Sequence, residues 1–277
     1  LAGDGAELGD NVWMLRGNYR DARQMLEAAR HLARGRPPLV TAEIEGALGE
    51  LAFKRGDLIG AATAIERGLS QLGCRVPRRN SAYVLLLLWE IGVQVLHSWF
   101  PGRFVGRRPL DRAQRDLLAV RLYSRLGRVC WFSRGRVKGF WTHLREMNLV
   151  ESYVPTPELA QVYSNHAAAM SVIPWFRRAS HYARQSLQIR EQFGDLWGQA
   201  QTLHFQGVML YAASRYGECI EMCREAVRRF DRTGDFWELN MARYQLAASL
   251  YRLGELAAAS REAWKMHASG LELGDVQ

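Results

Sequence analysis

The chain repeats itself, and a repeat of this length constrains the fold more than any single residue does. Phe193-Gly194-Asp195-Leu196-Trp197 is echoed forty residues later by Thr233-Gly234-Asp235-Phe236-Trp237, and forty further on by Leu273-Gly274-Asp275. Gly-Asp reads as punctuation. Glycine closes one helix because it tolerates the left-handed conformation. Aspartate then caps the next by accepting hydrogen bonds from free backbone N–H groups. Asp235 followed by Glu238 has the outline of a capping box. Trp197 and Trp237, each two residues after its Asp, are placed to pack back over the joint.

A second register runs alongside. Small residues recur at Gly127, Ala167, Gly207 and Ala247, and Gly49 precedes Gly127 by two shorter periods of 39. Twelve residues after each stands another small residue: Ala61, Gly139, Ala179, Cys219 and Ala259, with Ala22 one period earlier. Helices that cross closely need small residues at the contact. Between the columns lies a turn: Gly17-Asn18-Tyr19, Gly56-Asp57-Leu58, Gly135, Ser214-Arg215-Tyr216 and Gly254-Glu255-Leu256. Each unit is therefore helix, short turn, helix. A single hairpin cannot bury its apolar face, so neighbours must stack. The expected fold is all-α, a right-handed α-solenoid with a period near forty.

These columns resemble the tetratricopeptide repeat (TPR), with a small residue at the eighth position, Gly-x-Tyr/Leu at the turn and Ala at the twentieth. The clearest matches are Leu48-Gly49…Gly56-Asp57-Leu58…Ala61 and Ser249-Leu250-Tyr251…Gly254-Glu255-Leu256…Ala259. The period of 39–40 departs from the family's 34, and the family's usual Pro near the repeat end is missing. Longer repeats of this kind resemble the helical region that follows a STAND- or AAA-like ATPase in large bacterial signalling proteins. Leu117–Leu256 carries most of that likeness, including Trp175-Phe176-Arg177-Arg178 and Gly207-Val208-Met209-Leu210-Tyr211. The resemblance implies a cytoplasmic regulatory domain linked to kinase, cyclase or histidine-kinase modules. No Gly-x4-Gly-Lys-Ser/Thr loop exists, because none of Lys54, Lys138 and Lys265 follows a Gly.

The register breaks once. Residues 74–110 should hold one unit, but instead carry a long apolar helix over about Ser81–Ser98, then Trp99-Phe100-Pro101-Gly102 and a basic loop through Pro109. The Pro and Gly residues exclude a continuous helix there. Glu90, Gln94 and His97 fall at i, i+4 and i+7 and read as one polar stripe on an otherwise buried core helix, with an interfacial membrane helix running into Trp99-Phe100-Pro101 as the alternative reading. The unbroken apolar run, Tyr83–Trp89, is far short of the ~20 residues of a bilayer span. The chain thus divides into TPR-like repeats over 1–73, an irregular unit over 74–110 and further repeats over 111–277. Gly274-Asp275 announces a repeat that does not follow, which reads as a segment of a larger protein.

Charge is concentrated in one stretch. Residues 101–138 hold Arg103, Arg107, Arg108, Arg112, Arg115, Arg121, Arg125, Arg128, Arg134, Arg136 and Lys138 against Asp111 and Asp116, which equals the whole net charge of +9. Such a field attracts anions, so nucleic acid or an anionic small ligand is the alternative partner. The other reading is that these arginines pair with acids elsewhere.

Little points to catalysis. Four Cys at non-motif spacing make neither a disulfide framework nor a zinc site. No His-x3-His pair occurs, so no metal or other cofactor is expected. Gly3-x-Gly5 lacks the third glycine of a dinucleotide fingerprint, Leu8 standing there. The N-terminus has no signal-peptide features.

First helices should line the concave side of the stack. By the 3.6-residue period, positions two, five, nine and twelve face it. These include Arg121, Ser124, Arg128 and Trp131, then Gln161 and Ser164, then Gln201, His204 and Tyr211, then Tyr244 and Tyr251. A lining of Arg and aromatics without carboxylates suits an extended peptide. The expected function is therefore non-catalytic: a protein–protein interaction and regulatory module that binds a protein segment, or its own neighbouring catalytic domains.

Overall fold

The computed structural model of the protein describes residues 19–273, which comprise thirteen helices, one isolated bridge between Arg108 and Tyr153, and no strand. The expected all-α architecture of TPR-like hairpins is observed. Gly3-x-Gly5, the Gly17-Asn18 part of the first turn and Gly274-Asp275 lie outside the described residues. Residues 19–162 form one compact unit, and the described residues from 163 onward form another.

The first unit contains α1 (Tyr19–Leu32), α2 (Pro38–Lys54), α3 (Leu58–Gln71), α4 (Asn80–Trp99), the single turn α5 (Pro101–Phe104), α6 (Gln114–Ser133) and α7 (Arg136–Val150). The boundary between units falls inside α8 (Pro157–Val172). The second unit continues with α9 (Phe176–Gln192), α10 (Leu196–Ala212), α11 (Tyr216–Thr233), α12 (Phe236–Arg252) and α13 (Leu256–Leu273).

The punctuation works as chemistry requires. Gly56, Gly194 and Gly234 all take positive φ, at 78°, 64° and 73°, and close their helices. The following aspartates cap: Asp57 accepts from Gly60 N at 2.8 Å, Asp195 from Gly198 N at 2.8 Å and Asp235 from Glu238 N at 3.2 Å. Trp197 reaches the next joint, donating its Nε1–H to Asp235 Oδ2 at 3.1 Å. The carboxylate of Glu238 is buried and accepts from Gln201 Nε2 at 3.0 Å.

The small-residue columns meet within hairpins. A Cβ at Gly49 on α2 would lie 2.5 Å from Ile65 Cγ1 and 3.2 Å from the Ala61 carbonyl oxygen on α3. One at Gly207 on α10 would lie 2.5 Å from Cys223 Sγ and 3.6 Å from Cys219 Sγ on α11. Such approach is what lets two helix axes cross closely. Between successive hairpins, α10, α11 and α12 share a core of Ala200, Leu203, Ala226, Phe230, Leu239 and Ala242.

The irregular stretch departs from the expectation. α4 is formed where the sequence places it, but its burial is inverted. Glu90, Gln94 and His97 are buried beside Tyr83, at 3%, 6% and 7% exposure, whereas Leu85, Leu88, Trp89 and Trp99 are exposed. Hydrogen bonds to α7 and the loop after it explain why. Glu90 accepts from Asn148 Nδ2 at 2.8 Å and Arg145 Nη1 at 3.2 Å. Glu151 Oε2 meets His97 Nδ1 at 2.8 Å and Gln94 Nε2 at 3.3 Å. Edge-to-face contact of Tyr83 with Trp141 completes the joint, at 5.2 Å. The apolar periodicity pointed to the inside; the polar stripe found partners there instead.

The hairpins flanking α4 consequently meet each other. α2 and α3 both pack on α6. Arg121 lies 3.5 Å from Glu43, and Arg128 lies 3.1 Å from Glu50. Both pairs are 78 residues apart in sequence, the separation of Gly49 and Gly127. Two repeat lengths along the chain correspond to one step in the stack, because α4 lies outside it.

Candidate interaction groove

The second unit presents an open cavity of about 600 Å³ between the end of α10 and the α12–α13 hairpin. Its walls are Tyr211, Tyr244, Tyr251, Arg252, Leu256 and Met266. Ala247, Ala248, Ala259 and Ala263 line it too, and two of them are column residues whose small size permits close helix packing. Tyr244 and Tyr251 are 60% and 66% exposed, seven residues apart on one face of α12. Tyr211 and Tyr216 meet edge to face at 5.4 Å, and the Arg252 guanidinium stands 5.9 Å and 5.8 Å from their ring centres. Interaction with Tyr211 and Tyr216 raises the Arg252 pKa above its ordinary value. Among the described residues no acid pairs with it through an ion pair, so this cation is presented at the groove edge.

Three of the eleven sequence-predicted groove residues, Tyr211, Tyr244 and Tyr251, come together here. Gln201, Ser164 and His204, also in the second unit, are buried. Gln201 is turned to Glu238 on the next hairpin. Burial alone pulls the His204 pKa down to about 4, so the ring is neutral at pH 7. The early positions of a first helix are thus covered by the next hairpin, and only the later ones reach a surface. His166 is buried as well and accepts from Arg178 Nε at 2.9 Å. Arg252, Leu256 and Met266 were not among the predicted residues. Arg252 sits one residue past Tyr251, at the helix end, where the groove-facing periodicity places no position.

The predicted positions in the first unit are differently engaged. Arg121 lies between Glu43 and Glu158, at 3.5 and 3.9 Å. Arg128 and Arg125 flank Glu50, at 3.1 and 3.5 Å. Burial pushes the Glu50 carboxyl upward, but Arg128, Arg125 and Lys54 together outweigh it and hold the group below its ordinary range. The expected absence of carboxylates at this lining is therefore corrected, since α2 supplies them. Ser124 is buried, Trp131 is part-exposed and packs edge to face on Phe140 at 5.9 Å, and Gln161 is half-buried.

Within the basic stretch, Arg134 pairs with Glu66, Arg108 lies 3.9 Å from Asp116, Arg115 donates to the Leu72 carbonyl at 2.8 Å, and Lys138 stands over the Tyr83 ring at 5.2 Å. Arg103, Arg107, Arg112 and Arg136 are exposed and form no ion pair with the described residues. Much of the local charge is thus answered within the chain.

No group of three or more His, Cys, Asp or Glu among the described residues is placed to hold a metal ion. Cys219 and Cys223 are buried one helical turn apart, with sulfurs at 3.9 Å, and Ser249 Oγ lies 3.0 Å from the Cys219 sulfur.

No protein-family model matches the chain, and no curated protein does. Among solved structures the chain is similar to BtubC (BKLC) from P. vanneervenii, at 16% identity and a TM-score of 0.48, over 95% of this chain and 93% of that one.

Proposed function

We propose that the protein is a non-catalytic interaction and regulatory module that binds an apolar protein segment in the groove between α10, α12 and α13. The carrying observation is the juxtaposition of three tyrosines and Arg252 in one lining that also holds four alanines. Tyrosines supply rigid apolar area at low entropic cost, and a guanidinium selects a carboxylate on the incoming segment. A segment with two or three apolar side chains and one acid on the same face matches this lining. The longer-than-TPR repeat favours a parent of the STAND- or AAA-like signalling type, with the segment supplied by its catalytic domains or by a cytoplasmic partner. In this reading the repeats over 1–73 and 111–277 are the scaffold that also carries the groove, and 74–110 is an interruption with its own role. Arg121, Ser124, Arg128, Trp131, Gln161, Ser164, Gln201 and His204 then act by holding the hairpins in register.

The test is selection of peptides from a displayed random library on the whole chain. Enriched peptides carry apolar residues at helical spacing with an acidic residue. Tyr244→Ala together with Tyr251→Ala weakens the best of them at least about 30-fold, as loss of a buried hot spot does. Both residues are surface-exposed, so helicity is unchanged. Selection of nothing above the starting library, or equal binding to the double variant, overturns the reading. Binding of nucleic acid with a steep fall of log K against log salt would favour the basic stretch instead.

A further inference from the structure

The groove leaves the outer face of α4 unused. α4 runs for 20 residues, about 30 Å, and is long and apolar enough to cross a membrane by length and composition. One side of it stays on α7 through Glu90, and on Glu151 just after α7 through Gln94 and His97. The opposite side is bare. Trp99, Leu85, Trp89 and Leu88 are 74%, 68%, 67% and 60% exposed, with Val84, Ile91, Val95 and Leu96 between them. At 100° per residue these eight positions sweep about 160° of the helix without a charged side chain. Large aromatic rings present roughly 150–250 Å² each. The face therefore exceeds the few hundred Å² that a soluble monomer leaves in one apolar patch.

Three observations say what covers it. First, the exposed arc is wider than the ~100° stripe that one neighbouring helix buries. Second, both ends are basic. Arg78 and Arg79 precede the helix, and Arg103, Arg107 and Arg112 follow it, all exposed and without ion pairs to described residues. Between Arg75 and Arg115 the acids are the buried Glu90 and Asp111 alone. Third, a second copy fits poorly. Twofold pairing of α4 with itself would bring basic ends together in either orientation, which repels. A partner that is apolar inside, anionic at its surface and indifferent to shape meets all three conditions.

We propose that α4 docks the chain on the surface of an anionic bilayer. The helix lies flat at the headgroup boundary, with Leu85, Leu88, Trp89 and Trp99 in the acyl region and the flanking arginines on lipid phosphates. It does not span, because Glu90 and Glu151 keep its other face on α7. The α4 face lies in the first unit and shares no residue with the groove of the second.

Sedimentation of the whole chain with vesicles tests this. Phosphatidylcholine vesicles containing about a third phosphatidylserine should carry the chain down, and pure phosphatidylcholine should do so at least about tenfold less well. Arg103→Gln with Arg107→Gln should weaken binding about 25-fold, near fivefold for each cation. Leu85→Ser with Leu88→Ser, at exposed positions, should abolish binding while far-UV circular dichroism stays unchanged. Tyr244→Ala with Tyr251→Ala should leave vesicle binding intact, so failure here is distinct from failure of the groove. The proposal is overturned by absence of sedimentation with anionic vesicles, or by equal sedimentation with neutral ones. Self-association in light scattering that Leu85→Ser with Leu88→Ser removes, without vesicle binding, would assign the face to a second copy.

Discussion

Replacing Gly49 by alanine sets two effects of known size against each other. Alanine at a helix interior gains about 1 kcal/mol over glycine. At Gly49 the added methyl would stand 2.5 Å from Ile65 Cγ1 and 3.2 Å from the Ala61 carbonyl oxygen. Ile65 is fully buried, and a β-branched side chain in a helix has one strongly preferred χ1, so it cannot swing aside. Overpacking of this kind costs about 1–3 kcal/mol. Gly92, inside α4, provides the control, because a Cβ there meets nothing within 4 Å. Gly92→Ala should keep the full propensity gain, and Gly49→Ala should lose it and more. The two variants should therefore differ by about 1–3 kcal/mol, and each kcal/mol moves the melting temperature by about 2–4 °C in a chain of this size. Thermal denaturation followed by far-UV circular dichroism reads the difference directly. If Gly49→Ala melts as high as Gly92→Ala, the hairpin crossing is not close and the column of small residues has another cause.

Two further outcomes follow from the caps and the buried histidine. Asp57→Ala loses the cap bond to Gly60 and should cost about 1 kcal/mol, whereas Asp195→Ala also takes a carboxylate from the buried Arg190 and should cost ~1–3 kcal/mol more in urea denaturation. Equal losses would remove the structural part of the Arg190–Asp195 pair. His204 takes a proton at about 4 when folded but near 6.5 when unfolded, so its contribution is complete above pH 6.5 and falls away toward pH 4, by up to about 3 kcal/mol. His204→Gln should flatten that part of the stability–pH curve, and a slope as steep as in the parent chain would contradict its burial as a neutral ring.

Hairpins were legible because their signals are local. Gly194-Asp195 and Gly234-Asp235 act within one turn of the chain, and Gly49 and Ala61 are neighbours within one hairpin. What the sequence could not show was which surface each helix offers to distant elements. Glu90 on α4 looked like the wet edge of a core helix until Arg145 and Asn148, more than fifty residues on, supplied its partners. Likewise, Gln201 fitted a groove-facing position, but Glu238 of the next hairpin covers it. Tyr244 and Tyr251 are exposed because α13 leaves that side of α12 open. The arginines of 101–138 show in the sequence as a field or as one half of unseen pairs, and their partners Glu43, Glu50 and Glu66 lie 68–78 residues earlier in the chain.

The most direct test concerns the claim that hairpins two repeat lengths apart meet because α4 lies outside the stack. A double-mutant cycle on Glu50→Gln and Arg128→Gln measures it, since the two residues touch at 3.1 Å only if α2 and α6 are adjacent. Adjacency predicts a coupling of at least about 0.5 kcal/mol in the stability of the double variant relative to the two single ones. Effects that simply add, within about 0.3 kcal/mol, would mean the two helices are not in contact and would contradict the fold from which both sites were read.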